Sequence, residues 1–425
     1  MKNNLYSITI AFATIIGCNA NLDPANTKQL AAAMPGFHFQ QKINKNDSEQ
    51  YYNAVKKFFQ SSLTTKNFNG GVLVAKGDAI IYEQYTGYKD FQTLQPLDAE
   101  TPMHVASVSK TFTSGAILKL VQEGKLSLDD PISKFFPGIP YEGVTVKMLL
   151  NHRSGIPNYV HYMERMGWNK DVFATNQDVL NSLYQQHPRA EFKPDTRFSY
   201  SNTNFLLLSM IVEKVTGERF PDYMQKNIFD PLDLTHTKIF MLADSASVVP
   251  SYQYNKRLWE WDFLDDTYGD KNVYTTPRNM FRWARALMSG EFIRSTLLDS
   301  AFTPYSNERK STHNYGLGFR LLILNNGKKV SYHNGRWHGT NAAFVMLPDE
   351  DVTIAIIGNR CNSNIYNIAR KSYDLFGNYL RGGTNDEDEN NATVQKPRKH
   401  SSKKYIAKRL SKKYSSSKRS VAKSR

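Results

Sequence analysis

Strand-forming segments lie near both ends of this chain, and a long helical stretch separates them. After Gly70-Gly71, the apolar runs at residues 72–75 and 79–85 flank a Lys-Gly-Asp turn, which predicts a β-hairpin. Residues 315–324, 329–332, 342–347 and 352–357 predict an antiparallel meander. Strands so far apart in sequence can share a sheet only if the two ends of the chain meet. The pattern therefore predicts an α/β (α+β) fold, an antiparallel sheet flanked by helices with an inserted helical lobe.

Helical spacing fills the space between these strands. Segments 144–151, 176–186, 202–215 and 278–289 each carry apolar residues at helical intervals between Pro and Gly breaks. Three more helices are expected, at residues 51–63, at residues 107–123 with Gly124 as its C-terminal cap, and at residues 365–380. A site would lie in the cleft between the sheet and the helical lobe.

The charge of the chain is concentrated at its C-terminus. Of the formal net charge of +15, residues 396–425 contribute thirteen Lys/Arg and no Asp or Glu, which leaves +2 for the rest. An acidic block at 386–389 precedes this basic tail, and both are expected to be disordered, outside a catalytic domain at 46–380. Specific nucleic-acid binding by the folded body is not favoured. A solvated tail and a tail that binds anionic surfaces such as a membrane both remain open.

The N-terminus is typical of an export signal. Lys2 is followed by an apolar run at residues 5–16 and by Gly17-Cys18, and the run is shorter than the roughly 20 residues that a spanning helix needs. It resembles a bacterial lipoprotein signal at residues 1–18, in which Cys18 becomes the lipidated first residue and residues 19–45 form a tether. The alternative is an ordinary secretory signal, and either interpretation exports the protein to the cell envelope or beyond it.

Ser107-Val108-Ser109-Lys110 is the strongest chemical motif. Positions i and i+3 share a helix face, so Lys110 can reach the Ser107 oxygen, a relation that Ser109 lacks. A desolvated lysine can take the proton of a serine and make it a nucleophile for acyl transfer. Taken alone, the motif also fits a solvated helix start with serine as its cap.

Two further segments offer partners for this pair. Tyr200-Ser201-Asn202 lies in a loop that enters a predicted helix, where a phenol could carry a proton and an amide could hold a substrate carbonyl. His333-Asn334-Gly335-Arg336 lies in the closing strands, where glycine would let a substrate backbone approach and the next amide could donate to an oxyanion. Separately, each segment fits an ordinary structural role as well.

Together the three segments resemble the serine β-lactamase and penicillin-binding-protein superfamily, in its class C-like branch, which has S-x-x-K, then Y-x-N, then K-T-G or H-x-G. The resemblance extends over about residues 48–380. Further similar segments lie at 120–131, 144–157, 228–237 and 273–277.

The resemblance implies a role for each residue. Ser107 would be acylated, Lys110 and Tyr200 would share its proton, and Asn202 would hold the substrate amide, with His333 and Gly335 on the substrate-binding strand. The backbone amides of Ser107 and Arg336 would form the oxyanion hole. No metal or cofactor is implied, and His152 and His236 are interpreted as structural.

His333 departs from the lysine usual in the family's lactamases, whose charge holds the β-lactam carboxylate. Histidine is largely neutral at pH 7, and H-x-G looks more like the esterase and D-amino-acid peptidase members. We therefore expect an ester or amide substrate and weak or absent penicillin hydrolysis. A β-lactamase, a DD-carboxypeptidase and a non-catalytic binding module remain alternatives, the last disfavoured because Ser107 and Lys110 are both kept.

Overall fold

Seven antiparallel strands form the central sheet of the structure, a computed structural model that describes residues 45–64 and 67–380. In spatial order they are β2 (Ala79–Thr86), β1 (Gly70–Lys76), β12 (Val352–Gly358), β11 (Thr340–Leu347), β10 (Lys329–Trp337), β9 (Arg320–Ile323) and β8 (His313–Tyr315). Strand β1 pairs with β12 from Gly70↔Gly358 to Lys76↔Val352. The expectation that both ends of the chain complete one sheet is confirmed.

One predicted strand is two strands in the structure. The pattern at residues 315–324 predicts a continuous strand, but β8 ends at Tyr315 and β9 begins at Arg320. Gly318 has a φ of +88°, and side-chain atoms at this glycine would meet Ser114 of a packed helix. The chain therefore turns at a left-handed glycine, which alternation of apolar residues does not reveal.

The helices surround the sheet and fill the insertion. Their bounds are α1 (Lys45–Thr64), α2 (Ser109–Gln122), α3 (Val146–Leu150), α4 (Tyr159–Arg165), α5 (Asn176–Gln186), α6 (Asn202–Thr216), α7 (Phe220–Met224), α8 (Pro277–Met288), α9 (Ser295–Ala301) and α10 (Asn364–Lys371). The prediction of one closing helix over 365–380 is wrong in length. Helix α10 ends at Lys371 and a 3₁₀ turn at Ser372–Leu375 follows.

Side chains of alternate strand residues pack into two separate apolar cores, one on each face of the sheet. On one face the sheet packs against α1 and α10, in a core that contains Phe59 and Ile354. On the other face it packs against α8 and the helical lobe, in a larger core that contains Phe112 and Trp283. Because side chains alternate between faces along a strand, a residue's position in β10 decides whether it faces the helical lobe.

Two small sheets lie at the base of the lobe. Strand β3 (Tyr88–Asp90) pairs with β4 (Gln95–Pro96), and β7 (Val273–Thr275) joins β5 (Met103–His104) to β6 (Lys238–Ile239). Strand β5 leads directly into the segment that carries Ser107. Within residues 45–64 and 67–380, no helix combines the length and apolarity needed to cross a bilayer. The leader, Cys18, the tether and the tail lie outside the described residues, and the domain bounds stay a prediction.

Candidate active site

Ser107 lies in a single 3₁₀ turn, Ala106–Val108, which continues into α2. Ala106 has a φ of +49°, in the left-handed region that residues other than glycine seldom occupy. The Ser107 side chain is half-buried, whereas Ser109 is buried and its Oγ accepts a hydrogen bond from the Val273 amide at 3.0 Å. Of the two serines, Ser107 therefore presents the available hydroxyl.

Lys110 is fully buried one helical turn further along α2. Its Nζ donates to Ser107 Oγ at 3.2 Å, to Asn202 Oδ1 at 2.7 Å and to the backbone oxygen of Asp270 at 2.7 Å. Three oxygens lie within hydrogen-bond distance of the amine, so the buried Nζ is held in one orientation. The structure brings together three residues that the sequence motifs predict, one each from the 3₁₀ turn, α2 and α6.

Tyr200 approaches Lys110 with the face of its ring. Lys110 Nζ lies 5.0 Å from the ring centroid, and the guanidinium carbon of Arg320 lies 5.3 Å from it. The ring of His152 packs against the same tyrosine with a centroid distance of 4.3 Å. Tyr200 thus joins the site through ring contacts with two cations and an imidazole, and its role in proton transfer stays a prediction.

His152 fixes the loop that carries Tyr200. Its Nδ1 accepts a hydrogen bond from the Ser201 amide at 3.2 Å and contacts Asn204 Nδ2 at 3.2 Å. An accepting Nδ1 assigns the ring proton to Nε2, which has no partner among the described residues. Burial, followed by the charge of Lys110, holds the pKa of His152 well below its usual value, so the ring is neutral.

Asn202 is the first residue of α6 and faces the buried amine. Its Oδ1 accepts from Lys110, and its backbone amide donates to Asn158 Oδ1 at 3.3 Å. Because the amide oxygen already serves the lysine, the Nδ2 group is the atom that could donate to a substrate carbonyl.

His333 lies in β10 and is fully buried. Its Nε2 lies 3.1 Å from the Tyr315 hydroxyl, and its Nδ1 lies 2.8 Å from the backbone oxygen of Asn334. Burial, with smaller effects from the charges of Arg320 and Lys110, holds the pKa of His333 well below its usual value. His333 is therefore a neutral residue of the site wall, and it supplies no positive charge.

Gly335 lies against the backbone of the segment that leads to Ser107. A Cβ at this position would lie 2.1 Å from the carbonyl oxygen of Val105, in the segment that leads to Ser107. The close approach seen here is to the chain's own backbone, and the role of Gly335 in admitting a substrate backbone stays a prediction. The glycine is required here because it lets β10 contact the segment before Ser107.

Arg336 points away from the site. Side chains alternate along β10, so Arg336 lies on the face opposite to His333 and Gly335. Its side chain is exposed, and its charge acts on Tyr366 of α10 and on Cys361. The arginine side chain therefore cannot replace the positive charge that His333 lacks, and only its backbone amide could serve the site.

The sequence analysis did not identify three residues of the site, which are Tyr159, Asp270 and Lys271. Asp270 supplies the backbone oxygen that accepts from Lys110, and its Oδ2 accepts from the Tyr159 hydroxyl at 3.0 Å. Lys271 is buried and donates to the same hydroxyl at 2.7 Å. Burial lowers the pKa of Lys271, and the charges of Asp270 and Asp265 oppose that shift. Asp270 is 160 residues from Lys110 in sequence, and no spacing rule connects them.

Metal-binding residues are not clustered in this region. In the part of the chain that the structure describes, no three His, Cys, Asp or Glu side chains are grouped so that they could hold a metal ion.

Comparison with known proteins finds one matching family model and related sequences. The Beta-lactamase family model matches residues 55–375. Penicillin-binding protein 4* of Bacillus subtilis (strain 168) is 30% identical over 322 residues, covering 72% of this chain and 71% of that protein.

Solved structures share the fold. A penicillin-binding protein from Bacillus halodurans superposes with a TM-score of 0.67 at 25% identity, over 76% of this chain and 99% of that one. A D-amino acid amidase from Ochrobactrum anthropi SV3, solved with L-phenylalanine amide, superposes with a TM-score of 0.64 at 21% identity, over 77% and 98% of the two chains. The second likeness concerns the fold alone.

Proposed function

Because this chain belongs to the beta-lactamase family and is a serine hydrolase, we propose that it is exported and cleaves an ester or amide through an acyl-enzyme on Ser107. The observation that carries the proposal is the 3.2 Å contact between Lys110 Nζ and Ser107 Oγ, at a lysine that is fully buried.

Acylation needs Lys110 as a proton acceptor, with the amine lone pair directed at Ser107 Oγ and its hydrogens donated to Asn202 Oδ1 and the Asp270 oxygen. The amine takes the Ser107 proton as Oγ attacks the substrate carbonyl carbon, and the backbone amides of Ser107 and Arg336 stabilise the oxyanion that forms. The C–N or C–O bond then breaks, and the proton passes from Lys110 to the leaving amine or alcohol, with Tyr200 as a second carrier. Water then hydrolyses the acyl-enzyme ester on Ser107 by the reverse steps: Lys110 takes a proton from the attacking water, and the proton returns to Ser107 Oγ as the product acid leaves.

An ester or D-amino-acid amide is favoured over a β-lactam as the substrate. His333 is neutral and the Arg336 side chain faces outward, so neither residue supplies a positive charge for a substrate carboxylate. A β-lactamase or DD-carboxypeptidase acting on cell-wall peptides is the second candidate, supported by the similarity to a penicillin-binding protein of Bacillus subtilis.

A panel of p-nitrophenyl esters, D-amino-acid p-nitroanilides and nitrocefin tests this proposal on purified protein. We expect turnover of one of the first two classes and its loss in Ser107→Ala, with Ser109→Ala as the matched control on the same helix. Full turnover by Ser107→Ala would refute the proposal. A fluorophosphonate probe that labels neither the wild type nor Ser109→Ala would favour a non-catalytic binding module instead.

Export through the leader is a separate part of the proposal. The apolar run before Cys18 supports a lipid anchor, and the thirteen basic residues of the tail support contact with an anionic surface. We expect Cys18→Ser to move the protein from the membrane fraction to the soluble one. Truncation after Leu380 should leave catalysis intact and reduce binding to anionic vesicles, and unchanged vesicle binding would remove the tail from the proposal.

A further inference from the structure

A concave surface lies next to the candidate active site. This aromatic cleft has a volume of about 660 Å³, and its wall nearest the site includes His104, Asn272 and Trp337. His104 precedes Ser107 by three residues, and Trp337 follows Gly335 by two on the same face of β10. The Trp337 ring also lies 4.9 Å from Lys271 Nζ, so the cleft and the site share one wall.

Two indole rings form the outer part of the cleft. Trp259 and Trp261 are 39% and 38% exposed, which is unusual for the largest apolar side chain. Trp261 stacks on buried Phe240 with centroids 4.9 Å apart and an angle of 13°, and Trp259 packs on the ring of His338 at 5.5 Å. Each indole is thus held by a ring behind it and keeps surface open to the cleft.

The segment that carries these rings is anchored at its base. The Trp259 amide donates to the backbone oxygen of Ser251 at 2.9 Å, and Tyr252 forms a bridge with Leu258. The indoles are therefore positioned by the fold, and a ligand would meet an ordered surface.

The charges in the cleft argue against an ionic ligand. Asp265 accepts from Trp337 Nε1 at 2.6 Å and lies 2.9 Å from His338 Nε2, so its carboxylate is already engaged. Asp90 accepts backbone hydrogen bonds from its own turn. What remains is one exposed carboxylate, Glu260, and one exposed amine, Lys256. One carboxylate and one amine do not provide the excess of either charge that a strongly cationic ligand or a phosphate-rich ligand would need.

We propose that the aromatic cleft binds a neutral saccharide ring. A pyranose has an apolar C–H face that packs on an indole and a rim of hydroxyls that needs hydrogen bonds. The cleft offers both, since Gln92, Ser245 and Glu260 lie among its aromatic walls. Saccharide binding in the cleft does not depend on the proposed hydrolase function. The further step, in which the saccharide is part of the substrate and lies beside the bond that Ser107 cleaves, does rest on that function.

Calorimetric titration of the full chain with N,N′,N″-triacetylchitotriose and with cellotriose tests this inference. We expect binding of at least one probe with a Kd on the order of 1 mM, weakened roughly ten-fold or more by Trp259→Ala and by Trp261→Ala. Tyr254→Ala is the matched control, because Tyr254 is a 74% exposed aromatic of the same segment that does not line the cleft. Its affinity should equal that of the wild type.

Two results would overturn the inference. One is the absence of saccharide binding by wild type, and the other is equal binding by all three variants. Trp259→Phe guards against misfolding, because it keeps a ring on His338 and should retain more affinity than Trp259→Ala. Fluorophosphonate labelling of the wild type reports separately on Ser107. Labelling without saccharide binding defeats only this inference, and saccharide binding without labelling defeats only the proposed hydrolysis.

Discussion

Gly335 of β10 lies directly against the carbonyl oxygen of Val105, so close that a single added carbon would approach it to 2.1 Å. This contact joins the strand that carries His333 to the segment that carries Ser107. The position of the nucleophile therefore depends on the absence of a side chain 228 residues later in the sequence.

Gly335→Ala should displace the Ser107 segment. We expect kcat/KM to fall roughly 100-fold, as small misplacements of catalytic groups can do, and the free energy of unfolding to fall by about 1–3 kcal/mol. Gly138→Ala is the control, because a Cβ there meets nothing within 4 Å although its φ is +79°. It should lose about 1 kcal/mol of stability and keep its activity. Equal activity in the two variants would contradict the packing argument.

Lys110→Met should remove the proton acceptor while it fills most of the same volume. We expect kcat to fall by about 10² to 10⁴-fold, and Asn202 Oδ1 and the Asp270 oxygen to lose their donor. Lys119→Met, on the same helix, removes only a half-exposed amine that pairs with Glu123 at 2.9 Å. Steady-state kinetics on both variants, with urea unfolding of each, separate loss of catalysis from loss of fold. A comparable fall in kcat for both would count against Lys110 as the base.

Buried histidines should make the fold sensitive to acid. Burial lowers the pKa of His104 to about 3 and holds those of His152 and His333 well below the usual 6.5. Below pH 6.5 these histidines bind protons in the unfolded chain but not in the folded protein. The free energy of unfolding therefore keeps their full contribution above pH 6.5 and falls as the pH falls, by up to about 1.4 kcal/mol per pH unit for each histidine.

Urea unfolding between pH 7.5 and 4.5 measures this dependence. His104→Gln should reduce the slope by one proton between pH 6.5 and 4.5. Identical slopes for His104→Gln and the wild type would contradict the assignment.

Nitrocefin should be a poor substrate. A charge pair with a substrate carboxylate is worth roughly 3 kcal/mol, so its absence at His333 predicts kcat/KM at least about 100-fold below that of the best ester or amide. Parallel assays of the three substrate classes provide the comparison. Nitrocefin turnover as fast as that of the best ester would contradict this prediction and would point to another basic side chain of the site, such as Arg320 beside the Tyr200 ring, as the partner of the carboxylate.

Local patterns predicted most of the elements but little of their packing. The i to i+3 relation of Ser107 and Lys110 follows from helix geometry, and the join of β1 to β12 follows from where the strand patterns lie. The Asp270 carbonyl is different, because any residue has one and only the fold brings it to Lys110. Gly335 illustrates the same limit, since its sequence context does not distinguish a substrate from a neighbouring backbone as the close partner.

The central claim is that Ser107 carries the acyl group. Acid quenching of the protein with benzylpenicillin or a slowly hydrolysed p-nitrophenyl ester, followed by intact-mass and peptide-mass analysis, tests it most directly. The account predicts one added acyl mass on the peptide that contains Ser107, present in Ser109→Ala and absent in Ser107→Ala. An adduct that persists in Ser107→Ala, or that maps to Ser109 or another residue, would contradict it.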